Sequence, residues 1–403
     1  MLSVNSRAKR TLRIAVLSYT TIARDYRVLR TLETLAALGH EVIAVGFGEA
    51  PDLPVRMIRL PDPPGRAGQR LGIMATQFPA NLIPASAPLL HMLLPPHRAA
   101  REALLALRPD IVHANDWQAL VAADAARQAV GSRIVYDSHE LAGEEHADNW
   151  VWRLVAQRHT SAIEARFIRR ADAVVTVSDG IADTLQALYA LPSRPLVIRN
   201  APAYRTVAPA PFTQPLRLLF HGILKSGRGI EAVIGAMPLL PEYRLTLRGD
   251  GAPHYLAKLQ ALAAKLGVAS RITFEPAVPH EEVVEAAASS HIGIFCASRD
   301  TRHNRFAMPN KIYEYLMAGL AVLVTAETDL ADLVETYGCG LTATDSTPDA
   351  IAAALRALPI PELNQMRRNA LASARALSWD EERQRLISLY ETLSAAGQAQ
   401  HAG

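Results

Sequence analysis

Short apolar runs rich in β-branched residues alternate with longer stretches of 3.6-residue periodicity along nearly the whole chain. In the first half, strands are predicted at 12–18, 41–46, 55–59, 110–113, 133–136, 173–177 and 196–198. Helical patterns fill 27–38, 118–129, 150–170 and 181–189. The alternation breaks at Asn200-Ala201-Pro202, where residues 201–215 (APAYRTVAPAPFTQP) lose periodicity and gather prolines. It then restarts, with strands at 216–220, 244–248, 271–274, 292–295, 321–324 and around Leu341. Helices are predicted at 229–237, 255–266, 281–288, 310–317, 330–336, 361–376 and 379–393. Strand–helix alternation of this kind builds parallel sheets with crossover helices. The prediction is an α/β protein of two doubly wound, Rossmann-like domains facing across a cleft, one over 1–200 and one over 216–376. A linker over 201–215 joins them, and a last helical segment, 377–403, returns to the first domain. Ligands of such folds sit beyond the carboxyl ends of the strands.

At 403 residues the chain exceeds what one hydrophobic core supports, which fits this division. A net charge of +3 conceals an asymmetry: residues 1–108 hold 14 Lys and Arg against 7 Asp and Glu. That excess suggests contact with an anionic membrane through residues 1–108, or simply a solvated basic face. Residues 71–95 are apolar, yet Gln77, Asn81 and four prolines interrupt them, so they do not form a spanning helix. They could lie along a membrane surface, flanked by Arg66, Arg70, Arg98 and Arg101, or pack internally. Cys296 and Cys339 are the only cysteines and offer neither a disulfide framework nor metal-ligand spacing. A reducing, cytoplasmic setting is therefore expected, with peripheral contact at the inner face of the plasma membrane.

Candidate chemistry collects at predicted strand ends. Residues 308–319 read Met-Pro-Asn-Lys-Ile-Tyr-Glu-Tyr-Leu-Met-Ala-Gly. Pro309 and Asn310 suit a helix start, and Gly319 suits a left-handed stop. Lys311 and Glu314 are i,i+3 neighbours near that helix's N-terminus, a place that attracts anions. A surface ion pair would show the same spacing. The loop His221-Gly222-Ile223-Leu224-Lys225-Ser226-Gly227-Arg228-Gly229 follows a strand and opens a helix. Its glycines and cations form a phosphate cradle that is neither a P-loop nor a dinucleotide fingerprint, or else a tight turn with basic decoration. Gly249 lies in a second turn on the same rim. His139 follows a first-domain strand between Asp137 and Glu140, and Arg24 and Arg27 follow another, where they could meet an anion or cap the next helix. No Asp-x-Asp pair occurs, so no metal site is expected for a bound diphosphate. Clustered aromatic and basic residues of a nucleic-acid module are missing as well.

These residues together resemble the retaining glycosyltransferases of the glycogen-synthase-like family 4, which have the GT-B fold. The resemblance runs through residues 24–29, the His139 loop, 200–202, the Arg228 loop, 309–319 and the helix from Trp379. It implies a retaining, metal-independent transfer of a hexose from a UDP- or GDP-linked sugar to a glycan or lipid-linked acceptor, as in cell-envelope polysaccharide or glycoconjugate synthesis, with no cofactor. Arg228 would hold the diphosphate, Glu314 the ribose hydroxyls, and His139 would stand beside donor sugar and acceptor. Gly222, Lys225, Gly249, Phe306, Pro309, Asn310 and Lys311 would complete the donor site. Two positions depart from the family pattern: Phe306 replaces the first Glu of its Glu-x7-Glu motif, and Ile223 replaces the first Arg of its loop. They motivate one alternative, a catalytically silent sugar-nucleotide-binding subunit; the other, a nucleotide-sugar epimerase of the same fold, would use the same diphosphate cradle without an acceptor.

Overall fold

The computed structural model of the protein describes residues 11–63, 65–147, 149–211 and 213–401, with the side chains of Arg66, Ala67, Gln69, Arg70 and residues 396–401 outside that description. The expected role of those two arginines, and of residues 1–10, as membrane-facing charges therefore falls outside the described residues. Two compact units emerge. The first holds the described residues of Met1–Val177, Ile181–Ile198 and Arg383–Gly403; the second holds Ser178–Gly180 and Arg199–Glu382.

In the first unit, seven parallel strands run in the order β3-β2-β1-β4-β5-β6-β7: β1 (Arg13–Thr21), β2 (Glu41–Phe47), β3 (Arg56–Arg59), β4 (Ile111–Asn115), β5 (Arg133–Ser138), β6 (Ala173–Thr176) and β7 (Leu196–Val197). Ile14 pairs with Val42 on one side and Ile111 on the other, and Ile14 to Leu17 are wholly buried. Burial on both faces explains why β1 reads as a continuous apolar run rather than an alternating one. The strand order reverses between β1 and β4, the switch point at which such sheets open a ligand crevice.

The second unit repeats the plan with six parallel strands in the order β10-β9-β8-β11-β12-β13: β8 (Leu216–His221), β9 (Tyr243–Arg248), β10 (Ile272–Glu275), β11 (Ile292–Phe295), β12 (Ala321–Thr325) and β13 (Gly340–Ala343). Its switch point lies between β8 and β11. The fold class read from the alternation of elements is the one observed.

Local differences have local causes. The helical stretch expected over 150–170 is two helices, Trp150–Val155 and Gln157–Phe167, because Ala156 leaves the helical region at φ −127°. Residues 71–95, read only as an interrupted apolar tract, form most of the helix Arg66–Leu82, the short helix Ala87–His91 and the approach to the helix Pro95–Leu107. The helix Pro348–Arg356 escaped the periodicity reading, although Thr347 caps it and Pro348 opens it. Residues 201–211 carry no regular structure yet bind the second unit: Ala210 N–H donates to Ala288 O at 2.8 Å, and Arg367 donates to Ala210 O at 2.7 Å. The last helix, Trp379–His401, starts on Pro202, whose carbonyl accepts from Trp379 N–H at 2.8 Å. Beyond Arg383 it counts with the first unit, where the buried Tyr390 hydroxyl lies 2.8 Å from His113 Nδ1. Among the described residues no helix is long and apolar enough to cross a membrane.

Candidate functional site

The second unit assembles its candidate residues at the carboxyl ends of β8, β9 and β11. Two backbone turns are locked together there. Gly222 N–H donates to Arg248 O at 2.9 Å, Leu224 N–H donates to Asp250 O at 2.8 Å, and Gly249 N–H donates to Glu275 O at 2.9 Å. Gly249 sits at φ +141°, and a Cβ on it would fall 2.0 Å from the Gly222 carbonyl oxygen. Gly229, at φ +79°, is equally constrained, since a Cβ would lie 2.1 Å from Cys296 O. Only glycine lets these backbones approach so closely.

The helix Asn310–Met317 supplies the charged side chains. Pro309 is its N-cap residue, one position before the first turn that the sequence suggested for it, and Gly319 takes the left-handed conformation at φ +68° just past the Ala318 C-cap. Lys311 and Glu314 are both 8% exposed, which removes the reading of a solvated surface pair. Lys311 lies against Gly222, where a Cβ would stand 3.5 Å from its ammonium nitrogen. That nitrogen is 3.7 Å from the centroid of the Phe220 ring and 5.2 Å from that of Phe295. Arg228, at the end of the loop, places its guanidinium carbon 6.0 Å from the same Phe295 centroid. Two cations thus share one aromatic shelf. Burial, and then Arg228, hold the Lys311 ammonium well below its usual pKa, with Glu314 opposing. A buried cation beside a second, half-buried one is costly and is relieved by an anion placed against it.

Glu314 has its own partner in His221, a residue of the glycine loop to which the sequence alone assigns no role. His221 Nε2 lies 3.0 Å from Glu314 Oε2, and the His221 ring stacks on Tyr315 at 4.6 Å. The His221 N–H donates to the Tyr315 hydroxyl at 3.1 Å. Burial lowers the His221 pKa against the pull of Glu314, so the imidazole is neutral near neutral pH. Burial would raise the Glu314 pKa, but His221, His280 and Lys311 outweigh it and keep the group a carboxylate. Arg248 ion-pairs with Glu275 at 2.8 Å while its Nη1 stays buried without a hydrogen-bond partner among the described residues. That orphaned donor adds to the cationic character of the rim. Lys225 is exposed on the loop, and Asn310 is half-buried at the helix start. Phe306, at the end of the short helix Arg302–Phe306, packs its ring against Gly180, where a Cβ would fall 2.1 Å from it.

The first unit holds a separate cluster. His139 Nδ1 is 3.4 Å from Asp116 Oδ2, and its Nε2 is 3.7 Å from Asp137 Oδ2. Asp116, at φ +60° just after β4, also accepts from His139 N–H at 3.3 Å. Burial works against charge on His139, but Asp116 and Asp137 outweigh it and raise the pKa to about 9. At neutral pH this ring is an imidazolium that donates hydrogen bonds. Arg27, read as a cap or an anion-facing group, is neither: it is 3% exposed and donates to both oxygens of Asp137, at 2.6 and 2.9 Å. Asp116 was not singled out from the sequence, where it shows only as a polar residue following a strand. Among the described residues no group of three or more His, Cys, Asp or Glu side chains is arranged to hold a metal ion.

Comparison with known proteins gives this geometry a lineage. Residues 25–201 match the glycosyl transferase 4-like domain, and residues 215–359 match the glycosyl transferases group 1 domain. A glycogen synthase of Mycobacterium tuberculosis is 32% identical over 152 residues, which is 36% of this chain and 36% of that relative. The chain thus matches little more than a third of the length of these curated relatives. Sucrose-phosphate synthase from Thermosynechococcus elongatus superimposes with a TM-score of 0.74 at 18% identity, covering 96% of this chain and all of that one. The Anabaena protein HepE in complex with UDP-glucose gives 0.70 at 15% identity, over 94% of this chain and 100% of its own. WaaG, a glycosyltransferase of lipopolysaccharide biosynthesis, gives 0.65 at 18% identity, over 93% and 99%.

Proposed function

The chain belongs to the GT-B glycosyltransferases, with a 4-like domain followed by a group 1 domain, and on that premise we propose that it transfers a hexose from a nucleoside diphosphate sugar to a glycan or lipid-linked acceptor. The observation that carries this reading is the buried Lys311 ammonium beside Arg228, above a glycine turn and at a helix start. A diphosphate placed there neutralises both cations and meets the positive end of the helix. Glu314, held as a carboxylate by His221, is suited to accept hydrogen bonds from ribose hydroxyls. UDP is the nucleotide we favour, because HepE is described in complex with UDP-glucose and a further structural relative is described bound with UDP-2-fluoro glucose.

The transfer we propose is retaining and metal-independent. The bond from the sugar's anomeric carbon to the diphosphate oxygen breaks, and the acceptor hydroxyl oxygen bonds that carbon from the same face. The hydroxyl proton passes to the departing phosphate oxygen. Lys311 and Arg228 stabilise the charge that develops on the leaving group, an effect worth about 2.7–4 kcal/mol for one well-placed donor. We assign His139 to the acceptor or sugar as a cationic hydrogen-bond donor, since a pKa of about 9 makes it a poor base at neutral pH. A cytoplasmic site of action fits the two free, buried thiols Cys296 and Cys339.

A thermal-shift screen with UDP, GDP, ADP, CMP and NAD⁺ tests the donor site, repeated on Arg228→Ala. Ligand at 100 times its dissociation constant stabilises the binding state by about 2.7 kcal/mol. A shift with one nucleoside diphosphate, lost in the variant, is expected; product analysis with that sugar nucleotide in excess EDTA then reads transfer and anomeric configuration. An isomeric sugar nucleotide without released diphosphate would overturn transfer in favour of epimerisation. One observation favours a second reading: Phe306, in place of the family's glutamate, packs on Gly180. If nucleotide binds but no acceptor is glycosylated, the chain is a silent sugar-nucleotide-binding subunit.

A further inference from the structure

Asp137, at the end of β5, is a shared acceptor. Arg27 donates through Nη2 to its Oδ1 at 2.6 Å and through Nε to its Oδ2 at 2.9 Å, and Arg27 Nη1 is itself held by Ile198 O at 2.9 Å. His113, on β4, adds its Nε2 to the same Oδ2 at 3.3 Å. All three side chains are at most 3% exposed. His139 Nε2 stands 3.7 Å from that oxygen too, beyond hydrogen-bond range, and is buried with no hydrogen-bond partner among the described residues. Its Nδ1 faces Asp116 instead, at 3.4 Å. A buried imidazole nitrogen left unpaired beside a carboxylate calls for a reason. The reason is competition: Arg27 and His113 already occupy the two lone pairs of Oδ2.

His113 is fixed from behind. Facing a carboxylate, its uncharged ring carries the hydrogen on Nε2, so Nδ1 accepts from the Tyr390 hydroxyl at 2.8 Å. Tyr390 is wholly buried on the last helix, and its ring lies 14° from parallel to the imidazole, with 6.1 Å between centroids. We propose that His113 is a positioning residue for the transfer: by occupying Asp137 Oδ2, with Tyr390 as its anchor, it keeps the Nε2–H of His139 uncommitted and available to an oxygen of the sugar or acceptor. This rests on the assignment of His139 to the sugar or acceptor, and explains why that ring is not consumed by its own aspartates. The charges facing His139 are Asp116 and Asp137, which favour its proton, and Arg27, which opposes it. His113 acts by tempering Asp137.

Side-chain amides separate the two nitrogens of His113, because asparagine stands in for Nδ1 and glutamine for Nε2. The titration of His139 is followed in the full chain by its isotope-labelled imidazole resonance, identified by its loss in His139→Gln. That reading needs neither donor nor acceptor, so it is independent of the transfer assay. His113→Asn frees Oδ2 to turn towards His139, and the His139 midpoint is expected to rise from about 9 by at least about half a pH unit. His113→Gln keeps the donor and should leave the midpoint in place. In transfer assays His113→Asn should lower kcat at least about fivefold, with KM for the sugar nucleotide unchanged and the alkaline limb of the pH profile moved upward; His113→Gln should restore both. Tyr390→Phe leaves the imidazole and cuts only its anchor, so it should move the midpoint in the same direction even where His113→Asn does not fold. A midpoint at the wild-type value in both His113→Asn and Tyr390→Phe overturns the proposal. So does a His113→Gln variant displaced as far as His113→Asn, because the ring would then serve packing alone. A midpoint that moves while kcat holds would overturn the role of His139 in transfer, and this one with it.

Discussion

Replacing Lys311 with methionine separates the cost of burying a cation from its use. The side chain is 8% exposed, and its ammonium has Arg228 as a like-charged neighbour. Removing the charge forfeits the contact with Phe220 at 3.7 Å, worth about 2 kcal/mol for a desolvated cation over a ring. It also removes a desolvation penalty of several kcal/mol. Methionine fills similar apolar space, so the free protein should melt at the same temperature or higher, by about 2–4 °C per kcal/mol recovered. Because the folded pKa lies below the usual 10.5, the unfolded chain binds the extra proton between the two values. The penalty is therefore fully present below the folded pKa and fades as pH rises towards 10.5, so the stability gap between variant and wild type should close on that side. Nucleotide binding moves the other way. Losing one charge-assisted contact costs about 1.5–3 kcal/mol, hence roughly 10- to 150-fold in the dissociation constant. Calorimetry of UDP binding in buffers of different ionisation enthalpy should also show proton uptake by the wild type at alkaline pH, absent in Lys311→Met. A variant that melts lower while binding UDP unchanged would refute the assignment of Lys311 to the anion.

Gly249→Ala should drive the turn away from the Gly222 carbonyl, costing about 2–4 kcal/mol by positive φ and overpacking together and abolishing the nucleotide-induced thermal shift; an unaltered urea midpoint would count against the lock between the two turns. His139, raised to about 9 from 6.5, contributes stability that is fully present below pH 6.5 and lost as pH rises through 9. His139→Gln should therefore cost up to about 3 kcal/mol at pH 6 and little at pH 10, as read by chemical unfolding at both values. The buried His97 and His159 are pushed down by desolvation to about 3 and about 4. Below pH 6.5 the unfolded chain takes up protons that the folded one refuses, so each histidine should remove roughly 2–3 kcal/mol by pH 4.5. A melting temperature that holds steady from pH 7 to 4.5 would contradict their burial as neutral rings.

The alternation of short β-branched runs with helical periodicity fixed the two parallel sheets in advance, because strands buried on both faces leave continuous apolar stretches such as Ile14 to Leu17. Punctuation by proline, asparagine and glycine likewise marked the helix Asn310–Met317 and its left-handed stop at Gly319, since these residues act through their own backbone. Charge spacing named Lys311, Glu314 and Arg228, but not their environment. Whether Lys311 and Glu314 face water or the interior depends on what packs over the helix, and the Phe220 ring under the ammonium comes from a strand far away in sequence. For the same reason His221 became legible as the partner of Glu314, and Arg27 as the partner of Asp137, only once β8 and β5 had brought together residues 93 and 110 positions apart. The exposed row of Leu71, Met74 and Leu82 on the helix Arg66–Leu82 is the opposite case: its periodicity resembles any core-facing helix, and only the assembled first unit leaves that face uncovered. Local backbone chemistry is written residue by residue, whereas desolvation belongs to the neighbours that folding supplies, and it is desolvation that moves the Lys311 ammonium away from its usual pKa.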